Sequence, residues 1–580
     1  MRSIQRRTWW ASLATFVGVA LAASLQLFAL PAFAGFELPP GERITNLPAI
    51  PRNMPQKEAY EIYDPVIGRN FDVKNFWMRA DLRVRPEFRN GVCFGGSNPA
   101  GGACNTTAGG QATKANLGKA ANDFYVQQWV RLGIGYDLSP DVNFYMEIID
   151  SAVWGGNGSP NNAGNGGDPL NHNCNQTAGA GVGNCRLGVR AAYVLVRNLG
   201  GVQGLSMKAG RQYVIFGNHS LFGHFDWANT GYSHDGVMFA YQTKNFDSYL
   251  CWFRNSEGDL VQGASTGSAG GNLVGGGNGQ QNGSADADMF IFYNQIKSVP
   301  GFLIEPYYVY YKNNLPSNAG GVAAAAGTNG SDGVQNQGLG TPKHANQTRH
   351  MIGNRIEMRK GNWDAIDETS WQFGQMGDGG QAGAIGASNQ KNLHINAWAT
   401  RNWLGYTVYE SKYKPRLAFN FDYASGDGRA NCTQGGGPGS MGSTGCKTAN
   451  TFENFFPTNH IHMGYMDIIA WKNMLSPSAN FQIRPTSRDH LELWYTNMNL
   501  ASSKDNWYRG GQGVYVWSRS DNTKTHIGDE LDATWTRMFA DGKVALQVTY
   551  GHMFAGGYIL NNLGTSSNQS WGYASLWMNF

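Results

Sequence analysis

The chain has 580 residues and a nearly balanced charge, with 45 Lys and Arg against 41 Asp and Glu, which gives no sign of a nucleic-acid partner. Its 78 glycines and 13% aromatic content, without heptad spacing, favour aromatic-rich strands joined by Gly-rich loops over a helical bundle. The length would ordinarily indicate several domains, but a large β-barrel accommodates it in a single wall.

Residues 1–34 predict a cleaved signal peptide. Three arginines precede an apolar run, and Ala-Phe-Ala at 32–34 supplies a small-residue cleavage site. An uncleaved membrane anchor is the alternative. No other apolar run is long enough for a transmembrane helix, so we expect an exported chain without one. The proline-rich residues 35–73 lack alternation and predict a periplasmic N-terminal segment.

The stretch 76–89 separates into two faces when it is read in twos. One parity is apolar, and the other carries Arg79, Asp81, Arg83, Arg85, Glu87 and Arg89. Alternate residues of a β-strand lie on opposite faces, so one face suits lipid and the other suits water. A soluble β-sandwich also alternates, but its polar face is rarely this densely charged. The pattern therefore favours one strand of a transmembrane barrel with a polar lumen.

Seventeen further strands are predicted along the chain, and long loops alternate with short turns between them. The expected strands lie near 76–89, 124–138, 142–154, 186–198, 204–216, 234–243, 246–255, 286–298, 302–313, 348–360, 362–375, 391–408, 415–425, 478–485, 490–499, 525–539, 543–553 and 571–580. An even strand number and loops of alternating length are typical of bacterial outer-membrane barrels. We expect residues 74–580 to form one all-β antiparallel transmembrane barrel, with long extracellular loops and short periplasmic turns.

The last predicted strand ends on the aromatic Phe580. This ending resembles the terminal signature by which outer-membrane barrels are recognised for assembly. We therefore expect the barrel-assembly machinery and outer-membrane lipid to be partners of the chain.

Six of the seven cysteines fall pairwise in three Gly-rich segments, as Cys93 with Cys104, Cys174 with Cys185, and Cys432 with Cys446. In an exported chain these local pairs predict three disulfides in extracellular loops. The remaining Cys251 is interpreted as an inert wall residue. The cysteine spacing fits neither a zinc site nor covalent haem, so no metal or cofactor is expected.

From Leu205 onward, short motifs occur in the order found in a known family. The motifs include Lys208-Ala-Gly-Arg-Gln212, Phe216-Gly217, Asp226-Trp227, Asp235-Gly-Val237, Gly353-Asn-Arg355, Tyr423-Ala-Ser-Gly-Asp427, Phe456-Pro-Thr-Asn-His460, Gly464-Tyr-Met-Asp467 and Gly528-Asp-Glu-Leu-Asp532. Over about residues 70–580 the sequence resembles the alginate export family of outer-membrane porins. The resemblance implies an 18-stranded barrel. Two segments, 218–220 and 231–235, depart from the family where basic residues are expected, so two guanidinium groups facing the pore are expected to be missing.

The candidate lumen residues are charged side chains on the polar parities, together with one arginine of the first motif. They are Arg79, Asp81, Arg83, Arg85, Glu87, Arg131, Arg211, Arg355, Glu357, Arg359, Glu530 and Asp532. Guanidinium is permanently charged and binds carboxylate through a planar fork. Rings of Arg and Lys make pores favour anions. The alternative is that these arginines pair with the interleaved carboxylates and only brace the wall.

The leading functional hypothesis is an outer-membrane channel for polar, preferentially anionic solutes. Two alternatives stay open: export of an anionic polysaccharide such as alginate with a periplasmic partner, and a barrel that sheathes an electron-transfer partner. A homo-oligomer is also open. No recognisable nucleophile motif accompanies the twelve histidines, so we expect no enzyme activity. For His460, His462 and Asp467, hydrogen bonding within a loop is favoured over a metal site.

Overall fold

The computed structural model describes residues 75–92, 121–154, 187–227, 231–256, 287–313, 347–376, 393–428, 448–508, 510, 514–516, 518, 521–563 and 567–579. All of them belong to one compact unit, Ile44–Phe580. The signal peptide, the N-terminal segment, the six paired cysteines and Phe580 lie outside the described residues, so their assignments stay predictions.

The described part of the chain is almost entirely β-structure. Its strands are β1 (Phe76–Val92), β2 (Ala121–Ser139), β3 (Val142–Val153), β4 (Leu187–Val196), β5 (Leu205–Gln212), β6 (His234–Gln242), β7 (Phe246–Ser256), β8 (Ala287–Ile296), β9 (Phe302–Asn313), β10 (Gln347–Lys360), β11 (Trp363–Met376), β12 (Leu393–Thr407), β13 (Arg416–Ala424), β14 (Thr448–Ala449), β15 (Met474–Ile483), β16 (Asp489–Asn499), β17 (Trp507–Tyr508), β18 (Val514–Val516), β19 (His526–Phe539), β20 (Val544–Ala555) and β21 (Gln569–Asn579). The helices are α1 (Gly557–Leu563) and three 3-10 turns, Leu199–Gly201, Asn459–Ile461 and Ala540–Gly542. Among these residues no helix is long and apolar enough to cross a membrane.

The eighteen long strands close into one antiparallel barrel. Each pairs with its neighbours in chain order, and β1 also pairs with β21. Leu82, for example, lies opposite Val130 on β2 and Met578 on β21. Closure leaves no unpaired strand edge, as the bilayer requires. The short β14 lies parallel to β12, and β17 pairs with β18 in a separate sheet. The predicted 18-strand barrel is confirmed.

Alternate residues face outward and inward, as the period of two predicts. On β1 the outward residues Phe76 and Met78 are 45% and 61% exposed, whereas Arg83 and Arg85 are fully buried inside the barrel. Aromatic side chains gather near the strand ends on the outer face, for example Trp363 and Tyr406, whose ring centroids are 4.8 Å apart. Such belts lie at the two membrane surfaces, with the apolar band between them.

Long loops and short turns alternate around the barrel, as expected. The turn from β10 to β11 uses Gly361 at a φ of 58°, a conformation that glycine adopts without steric cost. Strand ends differ from prediction by a few residues. The chain leaves the wall after Gln212 rather than at 216, because Tyr213 and the residues after it turn into the barrel. β15 begins at Met474, before the predicted 478.

Candidate functional site

Two loops fold into the barrel and pack in its interior. We call residues 213–227 and 231–233 the first inward loop and residues 450–473 the second inward loop. Both are largely buried and rich in aromatic residues, and they pack on inward side chains of the wall. Burial of this apolar surface against the wall is what draws the loops inside.

The first inward loop reaches the wall at β8, β10 and β12 soon after it leaves β5. Phe216 stacks on Tyr293 of β8 at 4.4 Å between centroids. Gly217, at a φ of 58°, packs so tightly on the Arg355 side chain that an added Cβ would lie 2.9 Å from its Cδ. Ser220 accepts a hydrogen bond from Arg401 Nη1 of β12 at 2.8 Å.

Six residues later the same loop is bound to the opposite wall. Asp226 accepts hydrogen bonds from Arg131 Nη1 of β2 at 2.7 Å and from Arg190 Nη2 of β4 at 2.9 Å. In the ring of eighteen strands, β2 and β12 are ten strands apart one way and eight the other. The segment from Ser220 to Asp226 therefore crosses the lumen, a distance of at most about 20 Å for six residues.

The charge of Asp226 suits this position. Burial alone would raise the pKa of the Asp226 carboxyl, but Arg131, His224 and Arg190 outweigh burial and hold the pKa well below its usual range. The carboxylate is thus ionised between two guanidinium groups. Its own N–H donates to His224 Nδ1 at 3.1 Å, which closes the turn.

Two arginines of β1 bind the backbone of the first inward loop at Asp226 and Trp227. Arg83 Nη1 donates to the carbonyls of Asp226 at 2.6 Å and Trp227 at 3.2 Å. Arg85 Nη1 donates to the Trp227 carbonyl at 2.8 Å, and its guanidinium carbon lies 3.5 Å from the Trp227 ring centroid. Arg85 also pairs with Glu87 at 2.6 Å. These arginines anchor a loop as well as bracing the wall.

The second inward loop is anchored to acidic side chains of the wall. The N–H groups of Tyr465 and Met466 donate to Asp532 at 3.2 Å and to Glu530 at 2.8 Å. The Tyr465 hydroxyl donates to Glu492 of β16 at 2.8 Å. The acidic residues on β19 thus accept from backbone N–H groups and Glu492 on β16 accepts from a hydroxyl, whereas arginines on β1 donate to backbone carbonyls. Glu530 and Asp532, predicted to line the lumen, serve as anchors.

The two loops are bonded to each other inside the lumen. Gly223 N donates to Phe456 O at 2.8 Å, and Phe456 N donates to Leu221 O at 3.0 Å. Trp227 stacks on His460 at 3.7 Å between centroids, almost parallel. The loops therefore form one constriction rather than two independent flaps.

His460 and His462 hydrogen-bond within the second inward loop and to the first inward loop, respectively. His460 Nδ1 hydrogen-bonds Asp467 Oδ2 at 2.8 Å, and His462 Nε2 hydrogen-bonds the carbonyl of Asn218 at 2.7 Å. Burial lowers the pKa of His460, although the Asp467 carboxylate opposes the shift. Among the described residues no group of His, Cys, Asp and Glu is arranged to hold a metal ion.

The remaining predicted lumen residues fall into two groups. Arg79, Asp81, Glu357 and Arg359 share the inward parity with Arg355, and most are held in ion pairs: Arg79 with Asp81, and Arg355 with Glu305 and Glu357. Arg211 is apart from all of these. It has the parity of the outward-facing Met207 and Ala209, and it pairs with Asp235 at 3.0 Å, whose side chain is 57% exposed. The structure thus places Arg211 outside the lumen.

Three residues at the site escaped sequence reasoning. Asp226 appears in the sequence only as part of a motif, and Arg190 and Arg401 are not among the candidate lumen residues. Arg401 was recoverable from strand parity, since it alternates with the outward Thr400 and Asn402 on β12. Arg190 was not, because a register shift in the pairing of β3 with β4 occurs at its position.

The alginate export family model matches residues 175–573, more than two thirds of the chain. The chain belongs to the alginate export family. It is an outer-membrane β-barrel channel of that family. No curated protein matches the sequence.

Three solved structures illustrate how far the likeness to crystallised barrels extends. Acinetobacter baumannii OccAB1 is 10% identical, with a TM-score of 0.45, over 89% of this chain and 99% of that chain. Pseudomonas aeruginosa OpdQ is 10% identical, with a TM-score of 0.43, over 87% and 98%. Pseudomonas aeruginosa OccD3 (OpdP) is 11% identical, with a TM-score of 0.43, over 87% and 91%.

Proposed function

We propose that this alginate export family barrel is a passive channel for small polar solutes, with a preference for anions. The observation that carries the proposal is the pair of inward loops, which are bonded to each other and to opposite walls. The first crosses the lumen between Ser220 and Asp226. A constriction of this kind suits solutes of a few atoms across better than a hydrated polymer chain.

The preference for anions rests on the arginines around Asp226. Ion pairs and hydrogen bonds join the inward face of β1 to β4 into one network with the first inward loop. Six arginines meet four carboxylates in it: Arg79, Arg83, Arg85, Arg89, Arg131 and Arg190 with Asp81, Glu87, Glu147 and Asp226. The formal excess is positive. Fixed charges in a narrow pore act across a lower dielectric than bulk water, so this excess attracts anions.

Two other functions are less well supported. Export of an anionic polysaccharide would require both inward loops to leave the lumen, and each is held by several buried bonds. A barrel sheathing an electron-transfer partner would require the interior space that the same loops occupy. Membership of a family of transport barrels also gives no support to an enzyme.

The test is the zero-current potential under a salt gradient in planar bilayers. Arg83→Gln removes an inward charge and is expected to shift the potential toward cations. Arg83→Lys loses the contacts that Arg83 Nη1 makes to the two loop carbonyls, because lysine is shorter, but it keeps the charge, so it should keep the wild-type preference. Arg254→Gln removes an arginine from the outward parity of β7 and should change nothing.

The three variants separate charge from loop contact. A cation-selective wild type would contradict the proposed preference. An equal shift in Arg83→Gln and Arg83→Lys would assign the effect to loop displacement instead of charge.

A further inference from the structure

A connected patch of polar residues lies on the outer face of the barrel, between aromatic residues above and below it. We call it the outward polar patch, and it consists of Asn354 of β10, Asp367 and Thr369 of β11, and Thr400 and Asn402 of β12. These residues alternate with buried inward residues. They are register neighbours: Asn354 lies opposite Thr369, Thr369 opposite Thr400, and Asp367 opposite Asn402.

Hydrogen bonds connect the four patch residues on β11 and β12. Asn402 Nδ2 donates to Thr400 Oγ1 at 3.0 Å, and Thr400 and Thr369 share a hydrogen bond at 2.9 Å. Thr369 also hydrogen-bonds the Asp367 carboxyl. Donors and an acidic acceptor are thus gathered in one network across two strands.

The patch lies at the middle height of the membrane. The outer-face pair of Trp363 and Tyr406 lies nearer the periplasmic end than the patch, and the pair of Trp371 and Trp398 lies nearer the loops. The patch therefore lies at a height between these two aromatic pairs. Asp367 is four residues from Trp363, or roughly 10 Å along the normal for a tilted strand. An apolar band about 25 Å tall therefore encloses the patch on both sides.

Polar groups at this depth are unfavourable against lipid tails, which offer no hydrogen-bond partners. Charged pairs elsewhere on the outer face avoid the cost. Arg211 with Asp235 and Arg254 with Asp288 stand within two or three residues of the strand ends, at headgroup level. The outward polar patch lies too far from the strand ends to reach the headgroups, so its position points to a surface covered by protein.

We propose that a second copy of the chain covers the outward polar patch and forms a two-fold dimer within the outer membrane. Two copies inserted in the same direction are related by an axis along the membrane normal. If that axis passes between β11 and β12, each Asp367 meets the Asn402 of the second copy. The Asn402 amide has two N–H groups and gives one to Thr400, so the other can donate to the facing carboxyl. The surface is self-complementary, as a two-fold interface requires.

The first experiment measures native mass after extraction into a mild detergent. The wild type is expected at twice the chain mass, and the double variant Asp367→Leu with Asn402→Leu at the chain mass. The matched control is Ser248→Leu with Asn294→Leu, a register pair of polar residues on the outward parity near the periplasmic ends of β7 and β8, of which Asn294 is buried by its neighbours; this variant should stay dimeric. Heat-modifiable electrophoretic mobility verifies that each barrel is folded.

A second measurement does not depend on the folding of the double variant. A benzophenone amino acid replaces Thr400, and the protein is irradiated in intact membranes. An adduct of twice the chain mass is expected, and the same group in place of Leu250 on β7 should give none. An adduct with a different protein, no adduct, a monomeric wild type or a dimeric double variant would each overturn the proposal.

Discussion

Replacing Asp226 by asparagine should release the first inward loop from the wall. The carboxylate is shared by Arg131 at 2.7 Å and Arg190 at 2.9 Å, and no side chain of the three is more than 8% exposed. Removing one partner of a buried pair costs about 3–5 kcal/mol, because the opposite charge stays buried. Asparagine keeps one acceptor oxygen, so a loss near the lower end is expected. At about 1.4 kcal/mol per tenfold change, docking weakens by roughly two orders of magnitude.

The assay is single-channel conductance in planar bilayers. Asp226→Asn should show a larger conductance than the wild type, or frequent transitions to a larger one, because the loop no longer crosses the lumen. Asp235→Asn is the matched control. It makes the same chemical change in the exposed, outward pair with Arg211, which contributes about 0–1 kcal/mol, and it should conduct like the wild type. Identical conductance in both variants would refute the reasoning that this carboxylate holds the constriction.

Three further predictions concern the wall, pH and the cysteines. Leu82→Arg, on the outward face of β1, should lower the free energy of unfolding in urea by roughly 2–4 kcal/mol. Asn90→Arg, at the end of the strand, should lower it by only about 0–1 kcal/mol. Equal losses would mean that the faces or depths are misassigned. Acidification from pH 7 to pH 5 should increase conductance. Undocked His460 titrates near about 6.5, whereas burial lowers the pKa of docked His460, so protonation favours the undocked loop, and His460→Asn should lose this response. Asp226 contributes nothing between pH 7 and pH 5, because its depressed pKa confines the loss of its stabilising charge to below about pH 3.9. Peptide mapping under non-reducing conditions should find the three predicted cysteine pairs bonded and the buried Cys251 free, and free thiols at the paired positions would contradict the loop assignment.

The wall could be predicted from sequence because its signal is local. Successive side chains of β1 point to opposite faces, so the polarity of Leu82 and Arg83 predicts which of them faces lipid and which faces the lumen without knowledge of the rest of the barrel. The same logic would have placed Arg211 correctly. It follows Met207 and Ala209 on the apolar parity, which predicts the outer face, whereas the family motif alone suggests a lumen residue.

The constriction could not be predicted because it depends on contacts between distant segments. Asp226 and Arg131 are 95 residues apart in sequence, and Tyr465 and Asp532 are 67 apart. The sequence of the first inward loop does not by itself predict that the loop turns inward. Its apolar residues are buried in a common core with those of the second inward loop, which is distant in sequence. Strand parity offers the alternative that the arginines pair with interleaved carboxylates, and Arg85 with Glu87 is such a pair, but parity does not predict that the arginines also bind a loop.

The size of the constriction tests the account most directly. Neutral polymers of graded radius can be added to the planar bilayer, and the smallest polymer that no longer enters the pore measures its width. The account predicts that the wild-type barrel conducts salt but excludes polymers as wide as a hydrated polysaccharide chain, and that Asp226→Asn admits larger polymers than Asp235→Asn. A wild-type pore that admits such polymers, or that conducts no ions, would contradict it.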